Sequence, residues 1–345
     1  MTGMSWITDD GPLGDVVISS RIRLARNISG VKFPSSLDQE GASYVINSVE
    51  KSIMDTNSTL SGHFKSFVMK DLSPLDRNIL VEKHLISPDL ADKPDISAVM
   101  IDDREEISIM INEEDHIRMQ SITPGFSLND SWNVLDKIDD LIEENVPYAF
   151  DERLGYLTAW PTNVGTGMRA SVMMHLPGLV YAGQMGPMLQ TISKIGLTLR
   201  GLYGEGSEAL GNIYQMSNQV TLGPSEHEII NNINIVAKQI IEKERATRQA
   251  LAQANGVDLD DNIWRAFGIL RYAQKLNLKE FMALISQIRL GIALGKIDAI
   301  ALNDINRIMI MAQPANIQRY ALSTLKVEDM DVARAQIVRE MFSKL

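Results

Sequence analysis

Residues 155–179, GYLTAWPTNVGTGMRASVMMHLPGL, frame the reading of the whole chain. They predict a strand over 155–160, a Pro-Thr-Asn-Val-Gly-Thr-Gly loop and a second apolar strand over 170–176, together a central hairpin. Gly165 and Gly167 open backbone conformations closed to other residues and let a ligand approach the main chain. Arg169 leaves that loop, and a guanidinium on a constrained loop suits bidentate binding of phosphate. Taken alone, the same residues also describe an ordinary turn with a surface arginine.

Two other stretches supply company for Arg169. In residues 17–27, VISSRIRLARN, an extended strand turns Ser19, Arg21 and Arg23 to one face and Ile18, Ile22 and Leu24 elsewhere. Two arginines side by side repel unless an anion lies between them. Residues 112–118, NEEDHIR, place Glu113, Glu114 and Asp115 beside Arg118.

The surrounding pattern is mixed up to about residue 225. Helical spacing marks 38–56, 74–86, 131–144 and 184–195, with His84 near the end of the second. Short β runs fall at 96–101 and 106–112, the latter delivering Glu113 and Glu114 to a strand end, and at 196–203 and 212–219 around a glycine-rich loop. Strands grouped by hairpins rather than alternating with helices imply an α+β class, an antiparallel sheet flanked by helices. Ser225 and Glu228 form a capping box ahead of an apolar stripe, and nearly everything beyond is helical: 226–254, 261–274, 278–288, 298–312 and 330–343, with Pro314 breaking the fourth from the residues after it. The expected division is a catalytic domain over 1–225 and an all-α domain over 226–345.

Composition excludes several classes. The chain has 345 residues, 33 basic and 44 acidic, for a net charge of −11, which argues against nucleic-acid affinity and permits cationic partners. Without cysteine there is no disulfide, thiolate metal site or cysteine nucleophile. No signal peptide pattern and no apolar run of about 18 residues point to a cytoplasmic protein away from membranes. Neither the P-loop pattern nor the protein-kinase motif set is present.

The motifs SSRIRLARN at 19–27, NEEDHIR at 112–118, PTNVGTGMRASV at 161–172 and RGLYGEGSEALGNIYQMSNQ at 200–219 resemble those of the phosphagen (guanidino) kinase family, most of all its bacterial protein-arginine kinases. The resemblance runs in order from about residue 15 to the C-terminus. It implies an ATP site built from Ser19, Ser20, Arg21, Ile22, Arg23, His84 and Arg118, with Arg169, Ala170, Ser171, Val172 and Met173 from the central stretch. Arg200, Gly201, Leu202, Tyr203, Gly204 and Glu205 complete it. Glu114 matches the family's catalytic glutamate and Glu208 the loop glutamate that grips the guanidinium. Mg2+ would be held by nucleotide phosphates and water, with no protein metal ligands.

Two departures stand out. Trp160 occupies the place of the family's cysteine, and an indole cannot ionise, so slower turnover is expected. In the helical domain the family's phosphoarginine pocket is marked Arg-Asp-x-x-Arg-Ala. Here Met330 replaces the first arginine, leaving Asp331 and Arg334. The resemblance implies phosphorylation of arginine-containing proteins, stress-response repressors and misfolded proteins among them. Its further implications are an McsA-type activator, a Clp ATPase and a homodimer. A kinase for a free guanidino metabolite, or an impaired phosphoarginine-binding adaptor, are the alternatives.

Overall fold

Alternation makes the first strand. In Val17–Arg26 (β1) Ile22 and Leu24 are fully buried on one face, while Arg21 and Arg23 stay partly open on the other. The computed structural model describes residues 4–55, 62–203, 209–322 and 325–343. The further strands are β2 (Phe64–Val68), β3 (Ala98–Asp102), β4 (Ile107–Ile111) and β5 (Ile117–Pro124). Then come β6 (Phe150–Asp151), β7 (Gly155–Tyr156), β8 (Met168–His175), β9 (Leu197–Tyr203) and β10 (Ala209–Asn218). Eight of them form one antiparallel sheet in the order β2-β3-β4-β5-β1-β8-β10-β9, and β6 pairs with β7.

The helices are α1 (Ser5–Thr8), α2 (Gln39–Met54), α3 (Pro74–Glu82), α4 (Pro88–Asp92), α5 (Leu128–Glu143), α6 (Pro177–Tyr181) and α7 (Met185–Lys194). Beyond them lie α8 (Glu226–Ala254), α9 (Gly256–Tyr272), α10 (Leu278–Ala293), α11 (Leu302–Met311), α12 (Pro314–Ala321) and α13 (Val327–Phe342). The antiparallel sheet flanked by helices and the helical C-terminal region agree with expectation.

The central hairpin does not form. β7 ends at Tyr156, and residues 157–160 leave the ladder because their polar groups bind elsewhere. Leu157 donates its N–H to Ala149, and Ala159 donates to Asp115 Oδ1. Pro161 then opens a 3-10 turn over Pro161–Asn163. β8 pairs with β1 and β10, both remote in sequence, and it starts at Met168, so Arg169 sits in a strand rather than a loop. Gly165 (φ 114°) and Gly167 (φ 62°) do admit a close backbone, but it is the protein's own: a Cβ on Gly165 would fall 2.1 Å from the Thr221 carbonyl oxygen, and one on Gly167 2.5 Å from that of Ala25. α3 stops at Glu82, and His84 beyond it has φ 60°. Pro314 starts a helix as well as ending one, since a first-turn position needs no N–H.

Packing leaves one strip of the sheet uncovered. One face, with Ile22, Leu24, Ala170, Val172 and Met216, forms the main core against α2, α5 and the first half of α8. On the other face α3 and α4 cover Val99 and Met110 at the β3–β4 end. The C-terminal helices cover Ile18, Met173 and Ile213 near the opposite end. Between these two covers lie the inner strands β5, β1 and β8, and their polar side chains.

Candidate active site

Strand register puts the arginines on that uncovered face. Arg23 lies directly opposite Arg169 on β8, Ala25 opposite Arg118 on β5, and Arg21 opposite Ser171, which is itself opposite Ser217. Gln215, two residues before Ser217, pairs with Arg200 on β9. Positions two apart or directly paired share a face, so Arg21, Arg23, Arg118, Arg169 and Arg200 all project the same way. Like charges placed opposite each other across a ladder are destabilising.

The electrostatics record that crowding. Burial, then the neighbouring charges of Arg21, Arg118 and Arg169, holds the Arg23 guanidinium well below its ordinary pKa. Burial, Arg200 and Arg118 lower Arg169 in the same way. Arg21 donates to Gln215 Oε1 at 3.1 Å and Arg169 to Ser217 Oγ at 3.3 Å, neutral partners that supply no counter-charge. The Nε atoms of Arg23 and Arg169 are buried without a hydrogen-bond partner among the described residues. A cluster of cations with orphaned donors is a fit for the oxygens of a polyphosphate.

The NEEDHIR stretch serves this face residue by residue. Glu113, fully buried, accepts from Arg118 Nη1 at 2.7 and 2.6 Å and from the Ser87 hydroxyl. Burial opposes its ionisation, but the Arg118 charge and these bonds outweigh it and hold Glu113 below the usual carboxylate range. Glu114 is part-exposed, 3.7 Å from Arg118, and its pKa is raised by burial and then by Glu113. Asp115 accepts from Asn27 Nδ2 at 2.6 Å and Ala159 N at 2.7 Å. His116 Nδ1 accepts from Ile28 N at 3.0 Å, which leaves its Nε2–H to donate to the Lys32 carbonyl.

Arg23, Arg118, Arg169, Glu114 and Trp160 line one pocket of about 250 Å3, with Thr162, Asn163 and Gly167 on its loop side. Trp160 is 56% exposed there and does not turn into the core. A small adjoining cavity brings together Ser19, Arg21, His84, Ser171 and Met173 with Trp6. Burial and then Arg21 push His84 down to about 3, so its ring is neutral near pH 7.

Not every residue expected at the site turns its side chain to this face. The side chains of Ser20, Ile22, Ala170 and Val172 are fully buried on the opposite face, where Ser20 Oγ donates to the Gly125 carbonyl. Leu202 packs toward the helical core, Gly201 pairs with Tyr214, and Tyr203 ends β9. Gly204, Glu205 and Glu208 lie outside the described residues. Arg334, in α13, is buried and donates to the carbonyls of Ala312 and Leu276 and to Asp331 Oδ1. Sequence reasoning overlooked Glu113 as the anchor of Arg118. The spacing of Glu113 and Arg118 across a strand start was the available sign.

Comparison with known proteins agrees with this geometry. Residues 44–247 match the family described as ATP:guanido phosphotransferase, C-terminal catalytic domain, and residues 256–345 match the protein-arginine kinase McsB C-terminal domain. The protein-arginine kinase of Caldanaerobacter subterraneus subsp. tengcongensis is 52% identical over 330 residues, 96% of this chain and 98% of that relative. That of Bacillus subtilis is 46% identical over 336 residues, covering 97% and 92%. Among solved structures, a lombricine kinase aligns with a TM-score of 0.61 at 26% identity, over 70% of each chain. A taurocyamine kinase from Schistosoma mansoni shares the fold, with a TM-score of 0.63 at 23% identity over 81% of this chain and 41% of that one. The chain belongs to the ATP:guanido phosphotransferase family, in the branch that joins this catalytic domain to an McsB C-terminal domain.

Proposed function

We propose that the protein transfers the γ-phosphoryl group of ATP to arginine side chains of proteins. The observation that carries this reading is the strip of arginines beside a part-exposed Glu114, in which the buried Nε atoms of Arg23 and Arg169 have no hydrogen-bond partner among the described residues. When bound, ATP with Mg2+ supplies the electrophilic phosphorus. Mg2+ would be held by the phosphate oxygens and water rather than by protein ligands.

The residues divide the work. Arg21, Arg23, Arg118, Arg169 and Arg200 neutralise charge on the phosphate oxygens, and Glu113 keeps Arg118 aimed at them. Glu114 orients the acceptor guanidinium and takes its proton as the N–P bond forms and the bond to the ADP oxygen breaks. Glu208 is the second carboxylate by family resemblance. Ser20, Ile22, Ala170 and Val172 support the site from the core side rather than by side-chain contact.

The functional division is a catalytic part, 1–225, and a helical part, 226–345, for substrate handling, phosphoarginine binding and homodimerisation. The same reading places the protein in the cytoplasm, with an McsA-type activator, marking stress-response repressors and misfolded proteins for a Clp ATPase. Trp160 favours a qualified version, a kinase slower than one with an ionisable group there. At saturating acceptor, Trp160→Cys should raise the turnover of phosphoarginine formation at least tenfold.

The direct test is incubation with ATP-Mg and an arginine-rich unfolded protein, with acid-labile phosphoarginine mapped by mass spectrometry. Modified protein arginines are the expected result. Faster turnover of free arginine than of the protein would instead make this a metabolite kinase.

A further inference from the structure

We propose that Trp160 is a docking plate for the acceptor, the guanidinium lying face-on over the indole while its edge N–H groups reach Glu114. This rests on the phosphotransferase reading above and adds how the acceptor is recognised. Trp160 is 56% exposed on the wall of the pocket that also holds Glu114. Among the described residues no cation or aromatic ring packs on its face.

The segment bearing the indole is held firmly. Asp115 Oδ1 accepts the Ala159 N–H at 2.7 Å, and the Trp160 carbonyl accepts from Thr158 Oγ1 at 2.8 Å and Asn163 N at 3.0 Å. Asp115 follows Glu114 in the chain and Ala159 precedes Trp160. One hydrogen bond therefore ties together the two backbones that carry the carboxylate and the ring.

The chemistry suits a guanidinium. It is flat, its donors lie in its plane, and its faces are weakly hydrated, so stacking leaves every N–H free for a carboxylate. The electrostatic setting also favours a ring over another acid. Arg23, Arg118 and Arg169 repel an incoming cation, yet an additional carboxylate would pair with them and compete with phosphate. A neutral π face attracts the cation and adds no anion to compete with phosphate for Arg23 and Arg169.

The test uses the full chain with saturating ATP-Mg and an arginine-bearing peptide as acceptor. Trp160→Leu keeps apolar bulk and removes the π face, and Trp160→Phe keeps a smaller one. The peptide KM should rise about tenfold in Trp160→Leu and no more than about threefold in Trp160→Phe. kcat should change less than about threefold, with ATP affinity unchanged. A binding readout independent of turnover accompanies it: the peptide, added with ADP, should quench tryptophan emission in the wild type and not in Trp160→Phe. Trp6 and Trp132 are buried and Trp264 remains in both proteins as a control. Equal KM values in all three proteins, an equal rise in both variants, a loss confined to kcat, or quenching that survives in Trp160→Phe would each overturn the plate. Quenching as expected without any phosphoarginine product would leave the plate standing and defeat the phosphotransferase reading instead.

Discussion

Two sets of arginines in this molecule meet opposite fates. Arg26 is buried in the catalytic core with its donors consumed: Nε and Nη2 go to Asp139, Nη1 goes to the carbonyls of Ala25 and Thr166, and the ring of Tyr156 lies 3.5 Å from the guanidinium carbon. Arg248 and Arg334 are similar, binding Glu244, Asp331 and backbone carbonyls. Arg23 and Arg169 sit on the neighbouring stretch of the same sheet, yet each has a buried Nε without a partner among the described residues and has cations for neighbours. Burial alone does not separate the sets. Pairing does: a guanidinium enclosed by carbonyls and carboxylates holds the fold together, and one enclosed by other guanidiniums awaits an anion.

The largest effect should come at the acid beside the unpaired set. Glu114→Gln keeps the shape of the pocket but cannot take a proton, so turnover should fall by about 10²–10⁴-fold while ATP affinity stays within about threefold. Turnover close to wild type would move the base elsewhere. In the paired set, Arg26→Ala leaves Asp139 buried and uncompensated, and unfolding measurements should show a loss of about 3–5 kcal/mol. A loss below about 1 kcal/mol would erase the distinction between the two sets.

Introducing a cation where a satisfied one exists sharpens the contrast further. Arg334 is already spent on internal carbonyls, so phosphoarginine should bind the helical domain weakly, and Met330→Arg should tighten it by about 1.5–3 kcal/mol in calorimetry. Equal or stronger binding by the unaltered chain would mean other residues form that pocket. The smallest effect is in the pH profile. Glu114 has a raised pKa and acts as the carboxylate, so activity is full above that pKa and declines as pH falls through it. The acid limb of kcat/KM should therefore lie above the ordinary glutamate value of about 4.3 and vanish in Glu114→Gln. A limb that persists in the variant would belong to another group.

Legibility in the sequence tracks locality. The start of α8 was legible because the cap and the stripe lie within a few residues: Ser225 Oγ accepts from Glu228 N at 3.3 Å, and Ile229, Ile230 and Ile233 are buried as their spacing implies. The alternation of Arg21 and Arg23 against Ile22 and Leu24 was equally local. The partners of β8 were not, because β1 and β10 lie far along the chain, and a hairpin with 155–160 looked equally reasonable. Membership of the site divided along the same line. Matching a motif carried Ala170 and Val172 into the site with their neighbours, whereas the two-residue period of a strand sends their side chains into the core. Glu113 and Glu114 look alike in sequence; only the buried contact with Arg118 makes one an anchor and leaves the other for the acceptor.

The most direct measurement is an ATP titration by calorimetry of the wild type and Arg169→Ala, with the thermal stability of each recorded beside it. Because Arg169 is crowded by cations and has no carboxylate partner among the described residues, its removal should weaken ATP by about 2–5 kcal/mol without lowering the melting temperature of the free protein. Unchanged ATP affinity, or a free protein that melts well below the wild type, would place Arg169 with the structural arginines and contradict the account.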